Sequence, residues 1–544
     1  MLSIQIDNQP LDLPNDFSIS LNLKSPVFND VGDYSFPFKV PSTPRNMSIL
    51  GWKNRLSSTR SIFEIYQGSI RWNGIVLFSG QINVKTASDS SFEGTLYINN
   101  GNFNYEVKNI LLNRLDFGGK TFVSDVEAMS YFNWSYFQSY PECDFSMPEI
   151  ANADFRDPPA TNPELLSYNH IFPNGLLHEM TTDGLSRTIL VPFLYLKFVL
   201  DKLGEIFGYT IQDEFFNSTT ELSNLVIYNS VNISERLFGL YRMFFSQLLP
   251  EIKVIDFLSG LEKWFNCSFH VDTNKKVIRI FSNKNVLLHS EVVEFSKDIL
   301  SISQEIPEQI TSFRFISTPD SGDKRYQEIL TAEGGITTLI HGAYQSFSDV
   351  LYLPFTEIGD IVYIIDTNSW WQFAINGFSF MTEWIQLPNA PTLIDKLYYK
   401  WGDEKNKYET IFSTLADPFG IGVCGNLESE SSKITSRLFF VAFNHQTWED
   451  PLRLRGMVDN GTFSLKYYGT DGLFNLYWKD WVNWIIDNRK SVKIEKQMDF
   501  IDLKNLDFTS RYRINGINYL ISQISVTLNK FTIKSAQLTC FTAP

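Results

Sequence analysis

Leu200-Asp201-Lys202-Leu203-Gly204-Glu205-Ile206-Phe207-Gly208-Tyr209-Thr210-Ile211 is answered 58 positions later by Leu258-Ser259-Gly260-Leu261-Glu262-Lys263-Trp264-Phe265-Asn266-Cys267-Ser268-Phe269. In each copy the apolar residues fall at the three- and four-residue spacing that lays a stripe along one helix face. Each run then breaks into the period-two alternation of a half-buried strand. The stretch therefore predicts a duplicated helix-strand unit, and none of its side chains is chemically reactive in that pattern.

Around this centre the chain is mostly strand. Residues 1–125 carry apolar alternation at Ile19, Leu21 and Leu23, then strands over 62–66, 75–78, 81–85 and 92–98, with turns at Gly68, Asn73-Gly74, Gly80 and Asp89-Ser90-Ser91. Short strands at that spacing predict a small barrel or sandwich. Its Pro-rich segment, 25–46, is held extended by four prolines and offers apolar faces. It reads either as a loop over its own barrel or as an arm docking on a neighbouring subunit through Phe28, Phe36, Pro37, Phe38, Pro41 and Pro44.

Residues 126–190 contain six further prolines, accompanied by acidic residues and the aromatic pairs Tyr131-Phe132 and Tyr136-Phe137. They read as a Pro-rich insertion or extended surface arm. The duplicated α/β module takes 191–290, and strands over 291–400 predict a second barrel. Residues 401–544 predict a C-terminal α+β domain, with a helix from about Asp471 that sets Tyr477, Trp478, Trp481 and Trp484 at helical spacing, as core or as interface. The expected fold is multidomain and mainly β: two barrels flanking an α/β module, then an α+β part.

Composition narrows the function classes. Of 544 residues, 15% are aromatic and 43% hydrophobic, enough for several cores rich in large side chains. The net charge of −15 argues against a protein that grips nucleic acid through its phosphates. The four cysteines, at 143, 267, 424 and 540, form no CxxC pair and read as reduced core residues. The N-terminus lacks the features of a signal peptide, and no apolar run approaches the roughly 18 residues of a spanning helix.

Reactive motifs do not hold up on their contexts. Gly420-Ile421-Gly422-Val423-Cys424-Gly425 matches GxGxxG but follows Asp417-Pro418 and precedes a polar run, so it reads as a flexible loop. His445 and Glu449 lack a third donor for a metal. There is no nucleophile elbow or phosphate loop in the sequence. Two distant carboxylates could still form a glycosidase pair, and Trp370, Trp371 and Trp384 could stack on sugars, although such aromatics are more often core or interface. No cofactor, metal or catalytic residue is assigned, and the protein is expected not to be an enzyme.

Three local motifs carry a resemblance: Gly32-Asp33-Tyr34-Ser35-Phe36-Pro37-Phe38 with Pro41-Ser42-Thr43-Pro44-Arg45-Asn46, Leu249-Pro250-Glu251-Ile252-Lys253-Val254-Ile255-Asp256-Phe257-Leu258, and Asp471-Gly472-Leu473-Phe474 with Tyr477-Trp478. Together with the order of parts, the chain resembles the tail hub, or tail-associated baseplate hub-like protein, of Bacteroidetes phages and prophages. The resemblance implies a structural virion protein made in the host cytoplasm and located in the tail. It implies a homotrimer whose paired tail-tube-like barrels form a ring between the tail tube and the tip proteins. DNA would be transient cargo in an acidic lumen during genome ejection. A receptor-binding or other baseplate component, and a carbohydrate-binding or carbohydrate-active β protein, are the alternatives.

Overall fold

The structure is a computed structural model. It describes residues 1–28, 32–55, 57–58, 64–148, 150–151, 167–169, 190–229, 231, 233, 241–289, 292–305, 462–465, 471–485 and 489–544, with the backbone of the strands between 312 and 455. The principal elements, in chain order, begin with β1 Leu2–Ile6, β2 Ser18–Lys24, β3 Asp33–Ser35, β4 Phe38–Pro41, α1 Pro44–Ile49, β5 Ile65–Trp72, β6 Ile75–Ala87, β7 Ser91–Ile98, α2 Asn99–Val107 and α3 Asp125–Ser135. The middle holds β8 Phe193–Tyr195, α4 Leu196–Phe207, β9 Thr210–Asp213, β10 Leu225–Tyr228, α5 Val254–Phe265, β11 Cys267–Asp272, β12 Val277–Ser282, β13 Val292–Glu294 and β14 Ile299–Glu305. The end holds β15 Gly420–Cys424, β16 Ile434–Ala442, a π-helical turn Phe474–Trp478 running into α6 Lys479–Asn483, then β17 Ser491–Lys496, β18 Arg511–Ile514, β19 Ile517–Asn529 and β20 Ala536–Thr542.

The two ends of the chain build one curled, mainly antiparallel sheet of 14 strands. Its path runs from the two-residue edge strand Gln9–Pro10 through β1-β5-β6-β7-β3-β2-β19-β20-β17-β14, with β4 paired to β7 and with β18 carrying β13 off β19. The seam is β2 against β19, in register from Ser18↔Asn529 to Lys24↔Gln523. Alternation explains it: Ile19, Leu21 and Leu23 on one strand and Ile524, Val526 and Leu528 on the other are all buried, while Ser20 and Thr527 meet on the outer face at 2.8 Å. Each such aliphatic side chain taken out of water contributes roughly 1.5–3 kcal/mol. The seam therefore welds residues some 500 positions apart.

Two glycines expected as turns lie inside strands instead. Gly68 of β5 pairs with Gly80 of β6, and β6 runs unbroken for 13 residues. A Cβ at Gly80 would collide with the Tyr97 carbonyl on β7, so glycine is there for close backbone approach rather than for a turn. The Asn73-Gly74 and Asn515-Gly516 turns are as expected, with positive φ at all four residues.

The duplication holds in three dimensions. α4 and α5 both have 12 residues, and both end on a left-handed residue, Gly208 (φ 72°) and Asn266 (φ 48°), at the same 58-residue offset. Leu196, Val199 and Leu203 are buried, as are their counterparts Val254, Phe257 and Leu261. The copies diverge at the last turn, where Ile206 is exposed and Trp264 is fully buried. Their strands flank a shared third one in the order β9-β12-β11, with β9 parallel and β11 antiparallel to β12.

Three expectations need correction. The stretch from 126 is not a surface excursion at its start: Phe132, Tyr136, Cys143, Phe145 and Met147 are at most 1% exposed and join the core of the duplicated module. The reason is the aromatic content: α3 turns Phe132 inward against Phe122, and Phe145 beyond the helix packs against Phe245. Residues 152–166 and 170–189 lie outside the described residues. Secondly, β13 and β14, expected to open a barrel over 291–400, pair with β18 and β17 of the C-terminal part. The strands between 312 and 399 form ladders of their own, Ser312–Ile316 with Leu351–Leu353 and Thr382–Gln386, and Ser369–Phe373 with Thr337–Leu339 and Ile361–Ile364. Thirdly, Gly420–Cys424 is not a loop but strand β15 on β16, because Ile421 and Val423 alternate with small residues. His445 and Glu449 fall outside the described residues.

Candidate assembly surface

The Pro-rich segment contributes two strands to its own sheet. β3 pairs with β2 and β7, and β4 pairs with β7. Phe38 is buried against Phe17, and Pro44 opens α1, whose N-cap Thr43 accepts from the Asn46 amide. Asn46 is fully buried and donates to the carbonyls of Pro41 and Asp12, which fixes the chain after β4. Pro41 is half-buried. Phe36 and Pro37 are exposed, and Phe28 is half-buried in an aromatic nest with Trp481, Trp484 and Phe541. Of the six candidate contact residues, the structure therefore brings only Phe36 and Pro37 together at the surface, joined by Pro44 elsewhere.

Phe36 borders a groove of about 340 Å³ on the outer face of the large sheet, lined also by Ser20, Thr527, Ser535, Gln537 and Glu495. Ser535 donates to the Glu495 carboxylate at 2.8 Å. The groove is an aromatic wall beside small hydroxyls, without a reactive pair.

Beneath the surface the motif around Gly32 explains itself. Gly32 has φ 77°, and a Cβ there would collide with the Gly101 amide of α2. This crossing seats Asp33 in a fully buried position, where its Oδ1 accepts from the Lys24 N–H at 2.6 Å and its Oδ2 from the Asn99 side chain at 2.8 Å. Burial lifts the Asp33 carboxyl to about 7, against the lowering effect of those two donors and the Lys24 charge.

Asn99 and Asn100 continue as a polar seam to the module. The Asn100 side chain donates to the Phe269 carbonyl and accepts from the Val271 N–H, imitating a strand edge beside β11. Thr273 donates to the Ser79 carbonyl at 2.6 Å, and Asn274 donates to that of Leu77. Arg279 adds ion pairs to Asp507 at 3.4 Å and Glu214 at 3.6 Å. The sheet and the module are thus joined by directional polar contacts, a signal invisible in hydrophobic periodicity.

The aromatic helix resolves mostly as core. Trp478, Trp481 and Trp484 are buried, while Tyr477 is half-buried against Phe215 and Phe265. Trp484 donates to the Thr542 carbonyl, and Lys284 pairs with Asp480 at 2.9 Å. Among the described residues no group of three or more His, Cys, Asp or Glu side chains could hold a metal ion, and no helix is long and apolar enough to cross a membrane. Cys143, Cys267 and Cys540 are buried and free.

No known protein family and no curated protein matches the chain. Among solved structures it is similar to the 43 kDa tail protein of prophage MuSo2 from Shewanella oneidensis, at 7% identity and a TM-score of 0.36, covering 99% of this chain and 95% of that one. It is also similar to the tail protein from Neisseria meningitidis MC58, at 9% identity and a TM-score of 0.30, with the same coverages. Both are tail proteins. A likeness at these scores assigns no role to any residue of this chain.

Proposed function

We propose that this chain is a structural protein of a phage tail: a hub at the tip or baseplate, assembling as a homotrimer that joins the tail tube to tip proteins and leaves an axial path for DNA. One observation carries the reading. The Gly32–Phe38 motif, one of the three that carry the resemblance to tail structural proteins, forms the middle of a curled sheet welded from both chain ends, with β3 bonded on both sides. Such a sheet is a rigid wall, and the module with its aromatic core is held to it by polar contacts. A net charge of −15 suits a wall along which phosphates pass without adhering.

The test is the mass of the purified chain in solution, with electron-microscopic class averages of the same sample. A ring of about three copies with a central opening is expected. A monomer at all concentrations, or a closed assembly without an opening, would overturn the hub role. The Phe36 groove favours one second reading, a carbohydrate-binding surface. Glycan-array binding that Phe36→Ala abolishes would establish it.

A further inference from the structure

Asp33 reaches the module through Asn99. Its Oδ2 accepts from the Asn99 side-chain amide at 2.8 Å, and the oxygen of that same amide accepts from the Thr273 N–H at 3.4 Å, in the turn between β11 and β12. Thr273 is 4% exposed, and its hydroxyl donates to the Ser79 carbonyl of β6 at 2.6 Å. The row Asp33–Asn99–Thr273–Ser79 thus crosses from the sheet to the module and back. Its first two members are held in place. Asp33 is 3% exposed, a Cβ on Gly101 would collide with its carbonyl, and the Lys24 N–H fixes Oδ1. Asn99 is left-handed, with φ 47°, at the start of α2, so its side-chain torsions are what remains free to move.

The two protonation states of the carboxyl call for opposite sides of the Asn99 amide. An ionised Asp33 offers only acceptors, so the NH2 group faces it and the amide oxygen is left for Thr273, as in the structure. A neutral Asp33 keeps Oδ1 for the Lys24 N–H and carries its proton on Oδ2. That O–H needs an acceptor, which the amide supplies by turning over. The NH2 group then meets the Thr273 hydroxyl oxygen, which stands 3.2 Å from the amide oxygen and spends its own hydrogen on Ser79. Every donor in the row then points from Asp33 towards Ser79. The Thr273 N–H loses its acceptor.

Among the described residues, the charged side chains on the elements packed around Asp33 are Lys24 on β2, Glu93 on β7, Glu106 on α2, and Asp272, Lys275 and Lys276 at the turn, with the phenols of Tyr34, Tyr97 and Tyr105 alongside. Glu93 pairs with Lys39 at 3.5 Å, Asp272 pairs with Lys275 at 3.1 Å, and Glu106 is opposed by Lys276. Lys24 acts on Asp33 itself and does not overcome the effect of burial, which sets the carboxyl at about 7.

We propose that Asp33 and Asn99 form a proton-operated latch between the large sheet and the duplicated module: losing the proton turns the Asn99 amide to hold the Thr273 N–H, and gaining it turns the amide away and loosens the β11–β12 turn. The latch is closed above neutral pH and open below it. Asn100 on Phe269 and Val271, and Asn274 on Leu77, are amide contacts that do not titrate, so the loosening stays at the turn. Nothing in this relay depends on the tail role.

The test is hydrogen exchange of the full chain at about pH 5 and about pH 8, read residue by residue by mass spectrometry and divided by the rate of an unstructured peptide at the same pH. Protection of the Thr273 amide is expected to fall about fivefold on acidification, through the loss of one hydrogen bond. Asp33→Asn presents an NH2 where the neutral acid has its O–H, so its protection should be low at both pH values. Asn99→Gly keeps the left-handed backbone and removes the relay, and should also be low and flat. Protection across Ser18–Lys24 checks the fold of each protein. Equal protection of Thr273 in the native chain at the two pH values would overturn the proposal, whether or not either variant folds. A fall in Asp33→Asn as large as the native one would overturn it too.

Discussion

The Phe28 ring sits 5.5 Å from that of Trp481 and 5.1 Å from that of Phe541, centroid to centroid. A residue of the Pro-rich segment thus fastens the aromatic helix to the last strand. Trp481→Ala removes most of a 5% exposed side chain and is expected to cost ~3–5 kcal/mol. The double substitution with Phe28→Ala should fall short of the sum by ~0.5–3 kcal/mol, since each removes the other's partner. Denaturant midpoints of the four proteins check this, and strict additivity would show that the rings do not support each other.

The duplicated helix ends give a matched pair. Gly208 and Asn266 are both left-handed, but Gly208 is exposed, whereas the Asn266 side chain is buried, donating to the Tyr477 carbonyl at 2.8 Å and accepting from Asn283 at 3.0 Å. Gly208→Asn should be nearly neutral, because asparagine tolerates this conformation. Asn266→Gly keeps the backbone and loses two buried hydrogen bonds, for about 1–3 kcal/mol. Asn266→Ala adds backbone strain and should be the worst of the three in thermal unfolding.

Asp33 ties stability to pH. Its carboxyl titrates at about 7 in the fold against 3.8 as the reference value, so between those limits the folded chain holds a proton that the unfolded chain has released. Its contribution is complete below pH 3.8 and is lost as pH rises through 7. Relative to Asp33→Asn, the native chain should lose up to about 1.4 kcal/mol per pH unit across that window. Parallel stability curves for the two proteins from pH 4 to 8 would rule out a buried neutral Asp33.

The polar seam predicts a selective loosening. Asn100→Ala deletes both contacts to β11, and the exchange of the Val271 amide should accelerate by at least an order of magnitude, while the amides of the β2–β19 seam are unchanged. Uniform acceleration everywhere would mean that sheet and module unfold as one unit.

Much of the local structure was legible in the chain itself. The helix-strand repeat follows from apolar spacing that gives way to alternation, and Ser18–Lys24 and Arg511–Ile514 follow from alternation, because these signals act over a few residues. Partner choice acts over hundreds. That β2 binds β19, that β13 and β14 complete a C-terminal sheet rather than a separate barrel, and that Phe132 and Tyr136 turn inward were decided only by the tertiary structure. A strand pattern records which face is apolar, but not which other strand or helix will cover it.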